Sequence, residues 1–211
     1  MCSIIAGFSK EEILNLAKLN EYRGTHSHSL TVIDRDTYKV VSVERSFGAI
    51  NYETFTLPEG NFFYIIHQQA PTTENKDEFS IHPAELSGQY LYHNGIVKSH
   101  EVERLRGYLH STFTWDTKLI LKQLIVFGDP SNIDGSFACV YLHSNGIWVF
   151  RNEISPLYFN ERVISSTRFE ESFSVPTNRI YNLKFNNDDT FRLIPEEISF
   201  NTVENPYYFG E

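Results

Sequence analysis

The sequence predicts an α+β domain with two sheets and a few helices, and three observations carry that expectation. Helical periodicity is confined to one stretch near the N-terminus and two consecutive stretches in the middle. Short runs rich in β-branched and aromatic residues fill most of the rest. Aromatic content is high, with 17 Phe and 12 Tyr in 211 residues, which suits cross-strand and core packing. A chain of this length can bury a proper core, and it shows no linker, internal repeat or low-complexity tract. Residues 1–211 are therefore read as a single domain.

Residues 2–8 come first, because Ile4, Ile5, Ala6 and Phe8 read as a short buried strand at the very start of the chain. Residues 9–20 follow as a helix: Ser9 and Glu12 have capping-box spacing, and Ile13, Leu16 and Ala17 share a face. Residues 29–33 and 38–44 read as strands joined by a polar turn at 34–37. The nearly unbroken apolar run 62–67 reads as a strand buried on both faces. Residues 69–87, with Pro71 and Pro83 among polar filler, read as a long loop of the kind that is often functional. Residues 90–94 read as a strand ending at Gly95. A helix is expected from Ser99 to about His110, with Val102, Leu105 and Leu109 inward, and a second from Asp116, a good N-cap. Strands are then expected at 136–142, 147–151, 162–165, 179–185 and 190–194, with turns at 144–146 and 186–189.

Composition excludes several classes of function. A net charge of −9, with no stripe of Lys and Arg, argues against a nucleic-acid partner. No run of about 18 apolar residues predicts a membrane span, and the start of the chain lacks a secretory signal pattern. Two cysteines, Cys2 and Cys139, make no disulfide framework, so a cytoplasmic location is expected. The eight histidines show no metal-ligand spacing, so neither a metal nor another cofactor is expected.

Cys2 invites a chemical reading. If Met1 is removed, thiol and free α-amine sit on one residue. The amine, titrating near ~7.7–8.0, can act as general base for its own side chain. The structural alternative is a small apolar Cys opening a strand.

Taken with that start, several separated motifs occur in one order. They are Met1-Cys2-Ser3-Ile4, Glu21-Tyr22-Arg23-Gly24, the run from Ile66 through His67, Gln68, Gln69, Ala70 and Pro71 to Thr72, and His82-Pro83. Then come His93-Asn94-Gly95-Ile96 with His100, Trp115-Asp116-Thr117, Asp134-Gly135-Ser136, and finally Ile154-Ser155-Pro156-Leu157 and Ile164-Ser165-Ser166. Together they resemble the class II glutamine amidotransferase domain, nearest in look to the glutaminase half of glucosamine-phosphate synthase. The resemblance covers about the whole chain. It implies the four-layer αββα sandwich of N-terminal nucleophile hydrolases.

It also implies a chemistry. Cys2 would attack the side-chain amide of glutamine, releasing ammonia and leaving a thioester. Asn94 and Gly95 would stabilise the oxyanion, although Asn-Gly is also an ordinary turn dipeptide. Asp116 would anchor the substrate ammonium as well as cap its helix. Arg23 would order the turn beside the nucleophile or serve as a plain surface arginine. Gln69, Thr72 and His82 fall in the substrate-binding loop, while His67 and His93 also suit satisfied core histidines.

Two positions depart from the family pattern. Gln69 stands where the family has an Arg that holds the substrate carboxylate, and such a charge-assisted bond is worth about 1.5–3 kcal/mol. Ser3 replaces a Gly beside the nucleophile. The leading expectation is a glutaminase subunit feeding ammonia to a separate synthetase. The alternatives are an amide hydrolase acting on a substituted glutamine or γ-glutamyl compound, and an inactive binding or structural protein retaining the fold. The aromatic run 206–209 would dock a partner or finish the core.

Overall fold

The computed structural model describes residues 2–70 and 80–203, so Thr72 and the aromatic run 206–209 lie outside the described residues. Two antiparallel sheets carry the fold. One has the order β11-β9-β10-β1-β4-β2-β3, built from β1 (Ser3–Gly7), β2 (Ser27–Asp34), β3 (Val40–Phe47), β4 (Phe62–Gln69), β9 (Tyr158–Phe159), β10 (Val163–Ser165) and β11 (Phe173–Ser174). The other has the order β13-β12-β8-β7-β6-β5. It contains β5 (Ala84–Leu86), β6 (Gln89–Val97), β7 (Gly135–His143), β8 (Gly146–Arg151), β12 (Arg179–Phe185) and β13 (Phe191–Ser199).

The two-residue period of the strands sorts their side chains into three apolar layers. Ile4 and Ala6 of β1 and Phe63 and Ile65 of β4 meet Tyr92, Ala138, Val140 and Val149 between the sheets. Ile5, Tyr64 and Ile66 leave the same strands on the opposite face and receive Ile13, Leu16 and Ala17 of α1 (Lys10–Asn20). Beyond the second sheet, Leu91, Cys139 and Phe150 pack on Leu105 of α2 (Ser99–Tyr108) and on Leu119, Ile120 and Leu124 of α3 (Asp116–Phe127). The result is a four-layer α-β-β-α sandwich, as the resemblance implied. Its innermost strand, β1, is buried on both faces.

Local chemistry accounts for the helix ends. Ser9 caps α1 by accepting from the Glu12 N–H at 3.3 Å, and Gly128 closes α3 in the left-handed conformation. Some boundaries differ from expectation for physical reasons. β6 continues through Gly95 to Val97, so Asn94-Gly95 is mid-strand and not a turn. The N-cap of α3 is Trp115, which puts Asp116 at the first helical position. The loop after β4 contains β5, paired along β6. β13 runs past Pro195 to Ser199, and a sheet edge tolerates a residue without an N–H. No helix of the described residues is long and apolar enough to cross a membrane.

Candidate active site

Cys2 sits at the head of β1, which is held between β10 and β4, and it is only 4% exposed. It shares the parity of Ile4 and Ala6, the face that looks across at the second sheet. Three elements converge on it. Arg23, in the 3₁₀ turn Glu21–Arg23, donates from Nε to the Cys2 carbonyl at 3.0 Å. Asn94 of β6, with its amide turned to satisfy both neighbours, donates to the same carbonyl at 2.7 Å and accepts from Arg23 Nη2 at 3.3 Å. Ser166, just past β10, accepts the Ile4 N–H at 3.0 Å, and its hydroxyl lies 3.4 Å from the Asn94 amide. The Cys2 carbonyl is thus fixed by a guanidinium and an amide, and the Ile4 N–H two residues on by a hydroxyl, all three side chains buried.

Two glycines permit this convergence. A Cβ on Gly24 would fall 2.4 Å from the Ala70 nitrogen, so the Arg23 turn lies directly on the end of β4. A Cβ on Gly95 would fall 1.9 Å from the Ser136 carbonyl and 2.7 Å from His93 Nε2. Ser3, by contrast, points away from the Cys2 face. Its hydroxyl donates to Gln68 Oε1 at 2.9 Å on the α1 side, where Gln68 in turn donates to the Ala17 carbonyl.

A second cluster lies behind β6. His93 leaves the strand toward α3, with Nδ1 3.1 Å from Thr117 Oγ1 and Nε2 3.1 Å from the Ser136 carbonyl. His82 reaches the same hydroxyl with Nε2 at 3.1 Å, while its Nδ1 is 3.1 Å from Gln69 Oε1. His67 stacks on His82 at 4.0 Å between ring centroids, and Trp115 meets His82 edge-on at 5.0 Å. Gln69 is wholly buried. Its Nε2 donates to the Ser80 carbonyl at 3.0 Å and its Oε1 accepts the His82 backbone N–H at 3.4 Å, so the amide braces the chain that follows β4. Arg45 of β3 fastens that chain from outside, donating to the Ile81 and Pro83 carbonyls at 3.1 and 3.0 Å.

Asp116 borders the second cluster. Oδ2 accepts the Val97 N–H at 3.2 Å, tying the end of β6 to α3, and Oδ1 accepts the Thr117 N–H at 2.7 Å. Its side chain keeps some exposure, at 22%.

The two cysteines differ in setting. Cys139 faces α3 from β7, and burial, aided by the Asp116 charge, pushes its thiol well above the usual range, which leaves it inert. Among the described residues no group of three or more His, Cys, Asp or Glu is arranged to hold a metal ion. A surface hollow of about 950 Å³, lined by Phe159, Arg162, Phe173 and Arg192, includes none of the residues around Cys2.

Two glutamine–fructose-6-phosphate aminotransferases of Xylella fastidiosa, from strains 9a5c and Temecula1, are each 30% identical to this chain. The matches run over 132 and 161 residues, 57% and 70% of the chain. Among solved structures, a B. subtilis glutamine phosphoribosylpyrophosphate amidotransferase superposes with a TM-score of 0.64 at 15% identity over 92% of the chain. An allosteric regulatory enzyme of purine biosynthesis gives 0.67 at 16% identity over 96%. The chain has the fold of these amidotransferases and resembles the class II glutamine amidotransferase domain in motif order. The chain spans 21% and 26% of those curated relatives and about half of the two solved chains, at 49% and 50%. No protein-family model matches the sequence.

The fold brings Cys2, Arg23, Asn94 and Gly95 into one place, and Gln69, His82 and Asp116 into an adjoining one. Sequence reasoning assigned no role to Ser166 or Thr117. Both stood inside matched motifs, but a lone hydroxyl in a motif gives no sign that it bridges distant elements.

Proposed function

We propose that this domain hydrolyses the side-chain amide of glutamine with Cys2 as nucleophile and delivers the ammonia to a synthetase partner. The single observation that supports this best is the fixation of the Cys2 carbonyl by both Asn94 and Arg23. Cys2 is buried and pinned by two separate elements.

In this reading the chain begins at Cys2, and the freed α-amine takes the thiol proton. Sulfur attacks the amide carbon, and the carbonyl π-electrons move onto oxygen. One Asn94 N–H holds the Cys2 carbonyl, so the other, together with the Gly95 backbone N–H, is the donor pair for the oxyanion. Collapse breaks the C–N bond, the ammonium of Cys2 returns its proton to the leaving nitrogen, and ammonia departs. Water then hydrolyses the thioester to glutamate and regenerates the thiol. Asp116, partly exposed beside the end of β6, is the anchor for the substrate α-ammonium.

A second substrate, a substituted glutamine or γ-glutamyl compound, is favoured by Gln69. That residue stands where the resemblance implies a carboxylate-holding Arg, and both ends of its amide are engaged by Ser80 and His82. Thr72 belongs to the same proposed substrate loop.

The test is intact mass before and after a glutamine-like electrophile, alongside ammonia release from glutamine and from a γ-glutamyl anilide. Loss of methionine, one adduct mapped to Cys2, and turnover that vanishes in Cys2→Ala are expected. Turnover of the anilide alone would shift the substrate to the substituted class. An unlabelled protein with Met1 retained and no turnover would sink the catalytic reading.

A further inference from the structure

The partners of His82 and His93 fix how many protons their rings must carry. His93 Nε2 faces the Ser136 carbonyl, which only accepts, so that nitrogen bears a hydrogen. His82 Nδ1 faces Gln69 Oε1. The Gln69 amide is oriented by two backbone groups, the Ser80 carbonyl at its nitrogen and the His82 N–H at its oxygen, so His82 Nδ1 also bears a hydrogen. Were both imidazoles neutral, His82 Nε2 and His93 Nδ1 would each present a lone pair to Thr117 Oγ1, at 3.1 Å on either side. One hydroxyl has one hydrogen. One of the two nitrogens would face an oxygen lone pair in a buried site, which is the costly arrangement.

We infer that His82, Thr117 and His93 form a proton-binding site in which one proton, beyond those of two neutral rings, is shared through the Thr117 hydroxyl. With it, every contact is satisfied. His82 Nε2–H donates to Thr117 Oγ1 and the Thr117 O–H donates to His93 Nδ1. Moving both hydrogens along this line carries the charge from His82 to His93 without breaking the chain of bonds. A second proton is also accommodated, because the Thr117 hydroxyl then turns to Asp116 Oδ1 at 3.3 Å. Thr117 is a positioning residue here: it makes two imidazoles and a carboxylate answer to one hydroxyl.

Asp116 Oδ2 lies 4.0 Å from His93 Nδ1 and is the near anion among the described residues. Cys139, directly across the ladder from His93, and Tyr92 beside it are both held neutral by burial. His67 stacks on His82 from β4. Arg45, the near cation, is occupied by the Ile81 and Pro83 carbonyls and is paired with Glu85 at 4.0 Å.

The existence of this proton does not depend on the proposed activity. Its bearing on catalysis does, since Asp116 is the substrate anchor only under that reading. The experiment is imidazole ¹⁵N–¹H spectroscopy of the whole chain, with His82 and His93 assigned by His→Gln variants. An isolated imidazole titrates near about 6.5. At about pH 8 three of the four ring nitrogens should bear hydrogens, and two would overturn the inference. Thr117→Ser should keep the third hydrogen and Thr117→Val should lose it. If the Val variant does not fold, the parent spectrum and the Ser variant still decide. A chain with three hydrogens and no amide turnover would keep this inference and remove the proposed function. A chain that turns over glutamine with only two would do the reverse.

Discussion

His93 and Asn94 are neighbours in β6, yet they serve two differently built clusters because successive strand residues leave on opposite faces. Asn94 looks across the sandwich to Cys2, where its partners are a backbone carbonyl, a guanidinium and a hydroxyl. None of those changes charge near neutral pH, so that face holds geometry. His93 looks back to α3, where two imidazoles and a carboxylate gather around Thr117, and that face holds protons. The lesson is that one strand can present a rigid frame and a titrating one side by side, with the sheet as partition.

The comparison can be broken first at Asn94. Asn94→Ala should lower kcat for amide release by about 10²–10³ while leaving the His82 and His93 imidazole signals in place. Movement of both would show that the two faces are not separate. Gly95→Ala attacks the partition itself, because its Cβ would strike the Ser136 carbonyl and His93 Nε2. Overpacking of this kind costs about 1–3 kcal/mol. Denaturant unfolding should show that loss, together with shifted His93 signals. The smallest effect sharpens the contrast from outside: Ser9→Ala removes the α1 cap, costing about 1 kcal/mol. It should leave rate and imidazole spectra unchanged, since α1 packs on the far face of the first sheet.

What the sequence disclosed depended on the range of the interaction. The α1 boundaries were legible because capping and amphipathic spacing act within a few residues, as Ser9 with Glu12 shows. The mid-strand position of Asn94-Gly95 was not, since the dipeptide reads locally as a turn. The reason for glycine there is a carbonyl 41 residues later, at Ser136. The two-residue strands β9 and β11 carry too little pattern to be seen, and they exist by pairing beside β10. Likewise Cys2, Arg23 and Asn94 could be named from motif order. Ser166 could not, because its importance lies in reaching Ile4 across 162 residues.

That same reach has a consequence for how the molecule is made. β1 closes against β10 through Ile5 opposite Ser165, and Ser166 seals the seam, so β1 waits for more than 160 further residues before this edge can form. Such non-local pairing is slow to form, since the loop must close before the contact rewards it. The frame around Cys2 is therefore complete only once residue 166 has joined the fold, a timing set by the topology of the sheet and not by a loop at the surface.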